Sequence, residues 1–203
     1  MSKKPIIVFE GIEGSGKSLH INSVSNFLKS KKIKFIKIRE PGGSINSEKI
    51  RKLILNDNSN FEKYTDLLLY LAARSENVAT IKKNKGIKII LIDRFVDSTI
   101  AYQHYGMGLN LKIINDINKL LLGKIKVNFT FLNLVNKINM AQRLSKRKKL
   151  NRYDKFKSLF YARVQKGFIK IANKNPNKYL KINSNLDINV NKKIIISKIA
   201  KLI

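Results

Sequence analysis

The sequence contains no cysteine and few acidic residues. The absence of cysteine from all 203 residues excludes disulfides, thiolate chemistry and cysteine-based zinc sites. Aspartate and glutamate number 13 against 42 lysines and arginines, which gives a net charge of +29. No apolar run approaches the roughly 18–20 residues that a membrane-spanning helix needs. Residues 1–5 lead directly into a strand-like run, so we expect no signal peptide, no membrane partner and a cytoplasmic location.

The chain also lacks internal repeats and any linker rich in proline or serine. We therefore expect one domain spanning residues 1–203, which is long enough to bury a sizeable core. Short apolar runs alternate with longer helix-patterned stretches, a pattern typical of a parallel sheet with helices on both faces. The predicted strands lie near 5–10, 33–38, 87–92, 127–133 and 178–182. The predicted helices lie near 17–30, 46–56, 62–84 (ended by Gly86), 97–104, 111–122, 136–147, 155–174 and 187–202. This order predicts a P-loop NTPase-type three-layer α/β/α fold on a five-stranded parallel sheet.

A phosphate-binding loop follows the first predicted strand. The motif G-x-x-x-x-G-K-[ST] is matched at every fixed position. The ATP-binding residues predicted from it are Gly11, Ile12, Glu13, Gly14, Ser15, Gly16, Lys17 and Ser18. The glycines let successive backbone N–H groups and the helix N-terminus point at a phosphate. Lys17 is expected to be an exposed loop residue that reaches the β- and γ-phosphates, and the Ser18 hydroxyl to hold Mg²⁺.

The high positive charge raises the question of a nucleic-acid partner. Lysine supplies 34 of the 42 basic residues, and with 23 asparagines and 30 isoleucines it fills 87 of the 203 positions. All three residues have A/T-rich codons, so a drift of base composition would raise them together. The lysines are scattered, and aromatic residues do not interleave with them as stacking platforms would require. We therefore expect no dedicated nucleic-acid partner, and a nucleotide-dependent nucleic-acid-binding module is the less favoured alternative.

Arginine is rare, and its positions are therefore informative. In a chain whose default cation is lysine, an arginine indicates a site that needs a planar, bidentate, permanently charged group. The eight arginines are Arg39, Arg51, Arg74, Arg94, Arg143, Arg147, Arg152 and Arg163. Five of the 13 carboxylates lie in or beside loops that follow predicted strands, namely Glu10, Glu13, Glu40, Asp93 and Asp97. These loops are where an α/β protein binds its ligands.

Three further motifs specify the kind of protein. Predicted strand two ends in Arg-Glu-Pro-Gly-Gly at 39–43, and strand three ends in Asp-Arg-Phe at 93–95, followed by Val-Asp-Ser-Thr-Ile-Ala-Tyr-Gln. Between them lies Tyr-Leu-Ala-Ala-Arg at 70–74. With the Glu-Gly-Ile-Glu form of the phosphate loop, these motifs resemble thymidylate kinases, which transfer the γ-phosphoryl group of ATP to dTMP. The resemblance runs over nearly the whole chain in order, and generic P-loop proteins do not share these motifs.

The strand-end charges also make chemical sense on their own. Phosphoryl transfer depends mostly on positioning and charge neutralisation, and two phosphates held this close repel unless cations bracket them. Arg39 and Arg94 are placed to bracket the acceptor phosphate with bidentate contacts. Asp93 is placed to bind Mg²⁺ with Ser18. The simpler alternatives are a surface salt bridge for Arg94 and a helix cap for Asp93.

The resemblance implies roles at the acceptor site. It implies that Tyr70 stacks on thymine and that Arg74 bonds the base edge, whereas a core aromatic with a snorkelling arginine is the alternative. It implies that Tyr102 crowds the sugar 2′ position and that Glu13 contacts the acceptor 3′-OH and the metal region. A cis Glu40–Pro41 bond is also implied. The predicted dTMP-binding residues are Arg39, Tyr70, Arg74, Arg94, Ser98, Thr99, Tyr102 and Gln103.

A basic segment near 143–155 resembles the lid of bacterial-type members, in which lid arginines cover the ATP phosphates because the phosphate loop has none. The predicted catalytic residues are therefore Glu13, Lys17, Arg94, Arg143, Arg147 and Arg152, and the three lid arginines cannot be ranked. The simpler alternative to a lid is a basic helix end that faces solvent and has no role in ATP binding. The resemblance also implies a homodimer formed through helices that include 62–84. Another nucleoside-monophosphate or deoxynucleoside kinase is the alternative enzyme.

Overall fold

The computed structural model describes residues 4–147 and 150–203. Five parallel strands form one sheet in the order β2-β3-β1-β4-β5. Their bounds are β1 Ile6–Glu10, β2 Phe35–Arg39, β3 Ile89–Asp93, β4 Phe129–Leu134 and β5 Tyr179–Asn183. From β1 the chain passes to the edge strand β2, returns to place β3 between the two, and then adds β4 and β5 on the other side of β1. This reversal of direction opens a crevice at the carboxyl ends of β1 and β3. The predicted α/β fold with a five-stranded parallel sheet is confirmed.

Eight helices cover the sheet within the described part of the chain. They are α1 Lys17–Ser30, α2 Ile45–Leu55, α3 Lys63–Asn84, α4 Val96–Thr99, α5 Leu111–Leu122, α6 Lys137–Ser145, α7 Ser158–Lys174 and α8 Ile188–Leu202. A π-helical segment, Ile100–Gly106, continues directly from α4, and short 3₁₀ turns span Arg152–Lys155 and Pro176–Lys178. Within these residues, no helix is long and apolar enough to cross a membrane.

The two faces of the sheet bury separate apolar layers. Ile7 and Phe9 of β1 pack in one core with residues of α1 and α8, such as Val24. Ile6 and Val8, which point to the opposite face, pack in another core with residues of α3. Successive side chains of a strand alternate between faces, so a strand covered on both sides needs an unbroken apolar run. This requirement explains the continuous hydrophobic character of the central strands.

Two of the predicted helix bounds differ from the structure for local reasons. The predicted helix 155–174 begins only at Ser158, because Asn151 and Asp154 form a capping box that closes a separate 3₁₀ turn before it. Helix α3 ends at Asn84, as predicted, and Gly86 follows the capping residue Lys85 in a left-handed conformation with φ of 82°. The predicted helix 97–104 starts as α4 and then widens into the π-helical segment. Residues 148 and 149 of the predicted lid lie outside the described residues.

The π-helical segment packs tightly against α7. A Cβ atom on Gly106 would lie 2.7 Å from Cε2 of Phe160, so only glycine fits at this contact. The wider turn carries a backbone hydrogen bond from Met107 N to Tyr102 O of 2.9 Å, which is an i to i+5 bond. Single π-helical turns often occur at functional sites, and this turn carries Tyr102 and Gln103.

Candidate active site

A cavity of about 210 Å³ opens at the carboxyl ends of β1 and β3. Its wall contains all eight residues predicted to bind dTMP. Lys17 and Ser18 of the phosphate loop and the strand-end Asp93 line the same cavity. Residues from three separate motifs of the sequence therefore meet in one place, although their individual roles stay predictions.

Lys17 is buried at the base of the phosphate loop, contrary to its expected exposure. Its side chain is only 7% exposed, and Nζ donates to the carbonyl oxygens of Gly11 and Ile12 at 2.9 Å each. Burial and the nearby Arg94 charge lower the pKa of Lys17 to about 8. The loop curls around this amine because Gly16 adopts a left-handed backbone with φ of 84°. The sequence position of Lys17 suggested an exposed side chain, but the concave loop buries it.

Ser18 and Asp93 approach each other beside the loop. The Ser18 hydroxyl donates to Oδ2 of Asp93 at 3.3 Å, and Asp93 is half-buried at the end of β3. Hydroxyl and carboxylate oxygens are ligands that Mg²⁺ accepts, usually together with water and substrate phosphates. Residues 4–147 and 150–203 contain no group of three or more His, Cys, Asp or Glu side chains that could hold a metal ion. The donor set fits an ion that shares its ligands with ATP.

Arg94 occupies a strained turn directly after β3. Its φ is +64°, a left-handed conformation that costs a bulky residue about 1–3 kcal/mol. The guanidinium donates to the carbonyl of Gly11 at 2.9 Å and to Oε1 of Glu13 at 2.8 Å, and it lies 5.1 Å from the centre of the Tyr102 ring. These contacts aim the side chain across the cavity toward the phosphate loop.

Glu10 holds the strained turn from beneath. This carboxylate at the end of β1 is fully buried and accepts from Phe95 N at 2.8 Å, Ser98 N at 3.2 Å and Ser98 Oγ at 2.5 Å. Three hydrogen bonds to this short segment fix its backbone, and they thereby stabilise the left-handed backbone conformation of Arg94. The position of Arg94 therefore depends on a buried acid behind it.

A pH prediction follows from this buried acid. Burial and the neighbouring Asp97 raise the pKa of Glu10 from 4.5 to about 7. Between these values the folded chain binds more protons than the unfolded chain, so the free energy of unfolding falls as pH rises from about 4.5 to 7. We expect the contribution of Glu10 to weaken by about 3 kcal/mol across this window.

The measurement is the melting temperature of the wild type and of Glu10→Gln at several pH values. Glutamine cannot ionise, so the stability of this variant relative to the wild type should increase as pH rises through the window. Glu62→Gln, at an exposed position, is the matched control and should parallel the wild type. Parallel pH curves for Glu10→Gln and the wild type would contradict the prediction.

Glu13 lies between the phosphate loop and the acceptor side of the cavity. Burial raises the pKa of Glu13, but the Arg94 and Lys17 charges more than offset that effect and hold it below its ordinary value. Its carboxylate accepts from Arg94 and from the Tyr102 hydroxyl. Glu13 is therefore an ionised acceptor at neutral pH, placed where a substrate hydroxyl could reach it.

The far end of the cavity contains a buried arginine beside aromatic rings. Arg74 is 2% exposed, and it donates to Oε2 of Glu40 at 2.7 Å and to Oδ1 of Asn118 at 2.6 Å. Its guanidinium does not snorkel to solvent, so that alternative is wrong. The Tyr70 ring lies edge-on to Tyr153, with ring centres 5.8 Å apart. These groups form an end wall with a planar cation and an aromatic face.

Thr99 and the Glu40–Pro41 peptide also belong to the cavity wall. The hydroxyl Oγ1 of Thr99 is buried and has no hydrogen-bond partner among the described residues. A buried hydroxyl without a partner costs free energy, so a ligand atom at this point would relieve that cost. The Glu40–Pro41 peptide bond is cis, as the resemblance implied.

Several residues of the cavity wall were missed by sequence reasoning. Arg51 lines the wall and donates to the Pro41 carbonyl at 2.6 Å. The rarity of arginine was a signal for it, but Arg51 lies on α2 and not after a strand. Asn151 and Tyr153 also line the cavity, although they belong to the segment predicted to cover ATP. Arg39, by contrast, was predicted; it lines the cavity from an exposed position and pairs with Glu48 at 3.0 Å.

The three predicted lid arginines lie in three different places. Arg143 donates to the carbonyl of Gly14 in the phosphate loop at 2.9 Å and to the Ser184 carbonyl at 2.7 Å. Arg147 lines the acceptor cavity and pairs with Asp154 at 2.5 Å. Arg152 pairs with a buried aspartate on α3. Of the three, Arg143 is the one that contacts the phosphate loop in this structure.

Alanine variants of these arginines are expected to act on the ATP side. Single replacement of Arg143, Arg147 or Arg152 should lower kcat more than it raises KM for dTMP, because the predicted phosphate contacts form fully only when the segment closes. Initial rates over a grid of ATP and dTMP concentrations separate the two effects. If all three variants only weakened dTMP binding, the segment would belong to the acceptor site alone.

The position of the phosphate loop relative to the acceptor cavity defines the class of protein. The loop joins β1 to α1, and its residues Glu13, Lys17 and Ser18 line a cavity that is rich in arginine and can take a second phosphate. A donor triphosphate and an acceptor phosphate can then meet in line, which is the arrangement of a P-loop nucleotide kinase. Comparison with known proteins identifies the family.

The family model for thymidylate kinase matches residues 9–195. A thymidylate kinase from Thermosipho africanus is 39% identical over 170 residues, covering 82% of this chain and 83% of that protein. One from Clostridium novyi is 36% identical over 191 residues, covering 91% and 93%. The crystal structure of thymidylate kinase from Ehrlichia chaffeensis superposes with a TM-score of 0.78 at 30% identity, covering 97% and 98%. The chain belongs to the thymidylate kinase family.

Proposed function

We propose that the chain transfers the γ-phosphoryl group of MgATP to the 5′-phosphate of dTMP, giving dTDP and ADP in the synthesis of dTTP. Membership of the thymidylate kinase family supports ATP and dTMP as the substrates. The observation that carries the proposal is the single cavity in which the phosphate-loop lysine faces all eight predicted acceptor residues. One P–O bond of ATP breaks and one P–O bond to the dTMP phosphate forms.

The acceptor atom determines what the protein has to supply. A phosphate monoester has its second pKa near 6, so at neutral pH the attacking oxygen already lacks a proton. No general base is then needed, and Glu13 has a positioning role: it holds Arg94 and accepts the sugar hydroxyl. Arg94 and Arg39 neutralise the acceptor phosphate, and Lys17 serves the donor phosphates, for which Nζ exchanges its bonds to the loop carbonyls.

Ser18 and Asp93 are the residues that would hold Mg²⁺. The ion, when bound, supplies charge neutralisation at the donor phosphates. The Ser18 hydroxyl and the Asp93 carboxylate already lie 3.3 Å apart, so both can face one ion without a change in backbone. Arg143, Arg147 and Arg152 are proposed to complete the donor side, where exclusion of water would limit hydrolysis of ATP.

The acceptor pocket supports a preference for thymine on deoxyribose. Arg74 and Thr99 offer donors to a base oxygen, and Tyr70 offers an aromatic face. Tyr102 is held from two sides, by the Glu13 carboxylate and by the Arg94 guanidinium, so its ring cannot easily yield to a 2′-hydroxyl. A rigid obstacle excludes a ribose more effectively than a mobile one.

The predicted order of acceptors is dTMP, then dUMP, then UMP, with dCMP, AMP and GMP near background. One mismatched buried hydrogen bond costs about 1–3 kcal/mol, so it gives roughly ten- to hundredfold discrimination. The methyl group that dUMP lacks is worth about 1 kcal/mol of buried area. The experiment is kcat/KM from ADP release with each of the six monophosphates at fixed MgATP and ionic strength. A preference for CMP, AMP or GMP would favour another nucleoside-monophosphate kinase.

The remaining proposals concern the whole chain. We propose a single-domain enzyme, consistent with one continuous sheet, a cytoplasmic location, and a homodimer formed through α3. The exposed apolar side chains Tyr64 and Leu68 on α3 support that contact surface.

We propose no nucleic-acid partner, and the test is the salt dependence of duplex binding. Specific phosphate contacts would make the affinity fall steeply with added salt and would show a fixed site size.

A further inference from the structure

Asp66, on α3, is a buried carboxylate to which no role has yet been given. Its side chain is 1% exposed, and it accepts hydrogen bonds from Arg152 and from the Tyr153 hydroxyl. It also accepts a hydrogen bond from Nε2 of Gln103, at 3.4 Å. Arg152 supplies the counter-charge that a buried carboxylate needs. The remaining two partners both belong to the wall of the acceptor cavity.

The protons in this cluster can be assigned. A carboxylate has only acceptor sites, so the Tyr153 hydroxyl must donate its one hydrogen to Asp66. Burial and the neighbouring Tyr70 and Asp66 raise the pKa of Tyr153 well above its ordinary value, so the hydroxyl keeps that hydrogen. The Tyr153 oxygen is then left as an acceptor, and Nε2 of Gln103 lies 3.3 Å from it. Both neighbours of the Gln103 amide are acceptors.

This assignment determines which way the amide of Gln103 is turned. Its orientation follows from the hydrogen-bond network, and two acceptors require the NH₂ group on their side. Both amide hydrogens are thereby used within the protein. Both side-chain hydrogen bonds of Gln103 to Asp66 and Tyr153 are made by Nε2, which leaves Oε1 on the other side of the amide, and the side chain lines the acceptor cavity. The atom that Gln103 can offer to a ligand is therefore an acceptor.

An acceptor in this position distinguishes one kind of pyrimidine from another. Thymine and uracil carry a hydrogen on N3, which an amide oxygen can accept. Cytosine has a bare N3, which is itself an acceptor, so it would face Oε1 without a hydrogen between them. Cytosine N3 and Oε1 would then both be buried without a hydrogen bond, which costs binding free energy.

We propose that Asp66 is a specificity-positioning residue, which fixes the Gln103 amide with its oxygen toward the base and so selects 4-oxo pyrimidines over cytosine. The inference rests on the proposed function, because it needs a pyrimidine monophosphate in this cavity. Asp66 acts through Gln103 and does not itself touch the substrate. Its carboxylate is suited to this task because, unlike an amide or a hydroxyl, it can never donate while ionised.

The test is Asp66→Asn, assayed with dTMP, dUMP and dCMP. Asparagine can donate or accept, so either orientation of Gln103 becomes acceptable. We expect the ratio of kcat/KM for dTMP over dCMP to fall about tenfold from the wild-type ratio. The ratio for dTMP over dUMP should not change, since both bases carry N3–H. A merely structural loss would lower all three acceptors together.

A matched control separates the Gln103 effect from a disturbance of the ion pair. Arg152→Lys alters the geometry of the pair but keeps the counter-charge, so the Asp66 carboxylate stays an acceptor and the dTMP over dCMP ratio should equal that of the wild type. If Asp66→Asn does not fold, Tyr153→Phe removes one of the two acceptors that face the amide, and the ratio should fall about threefold. An unchanged ratio in the folded variant would overturn the inference. Failure of the wild-type chain to prefer dTMP over dCMP would instead overturn the proposed function.

Discussion

Replacement of Lys17 with alanine is expected to lower the rate of phosphoryl transfer at least about 10³-fold. That is the scale on which enzymes lose rate when one preorganised charge contact is removed from a water-poor site. Lys17 is 7% exposed and donates to two loop carbonyls. Alanine would therefore remove the expected donor-phosphate contact and also one donor from each of these carbonyls, which would keep only the bonds from Arg94 to Gly11 and from Ser15 N to Ile12.

The burial of Lys17 determines how this experiment has to be controlled. The loss of two hydrogen bonds costs about 1–3 kcal/mol, so the melting temperature must be measured beside the rate of ADP release. Lys31→Ala removes an exposed lysine at the end of α1 and should leave both quantities near those of the wild type. A folded Lys17→Ala variant with near-normal turnover would contradict the assignment of the phosphate loop.

Arg94→Lys is expected to lower kcat/KM for dTMP by at least about 10²-fold although the charge is kept. Lysine cannot make two parallel bonds to the acceptor phosphate. The guanidinium of Arg94 also spans from the Gly11 carbonyl to the Glu13 carboxylate, and a single ammonium cannot hold both while binding a phosphate. Glu13 and Tyr102 would then lose their fixed partner at the same time.

The control for this variant is Arg163→Lys. Arg163 lies on α7, is exposed, and donates to the Gly106 carbonyl at 3.0 Å outside the cavity. The same chemical change there should leave kcat/KM for dTMP within about twofold of the wild type, since surface substitutions have small effects. Wild-type efficiency of Arg94→Lys with dTMP would remove the main support for reading rare arginines as site residues.

The sequence predicted the sheet well because the signals for it are local. Continuous apolar runs such as Ile89–Leu91 are buried on both faces, and each is followed within a few residues by its charged strand end. The spacing of the glycines around Lys17 determines the conformation of the phosphate loop locally. Parallel strands bring their carboxyl ends to one edge, so the meeting of Arg39, Asp93 and the loop in one cavity followed from topology.

Features that depend on distant contacts could not be predicted. The pairing of Arg152 with Asp66 joins residues 86 positions apart, and nothing in either local sequence indicates the other. The placement of Arg51 depends on how α2 packs over the cavity. The burial of Lys17 depends on the depth to which the loop curls. In each case the determining quantity is tertiary packing, which local patterns do not encode.

Residues from the last turn of α6 to the 3₁₀ turn that follows it contact both the phosphate loop and the cavity wall. At one end Arg143 contacts the phosphate loop, and a few residues later Arg147, Asn151 and Tyr153 form part of the acceptor wall. If bound ATP draws this segment inward, the wall around dTMP moves with it. The two substrates then share a coupling free energy, and such a coupling is reciprocal: dTMP must raise the affinity for ATP by the same factor by which ATP raises the affinity for dTMP. Each substrate would thus help the protein retain the other until both are in place.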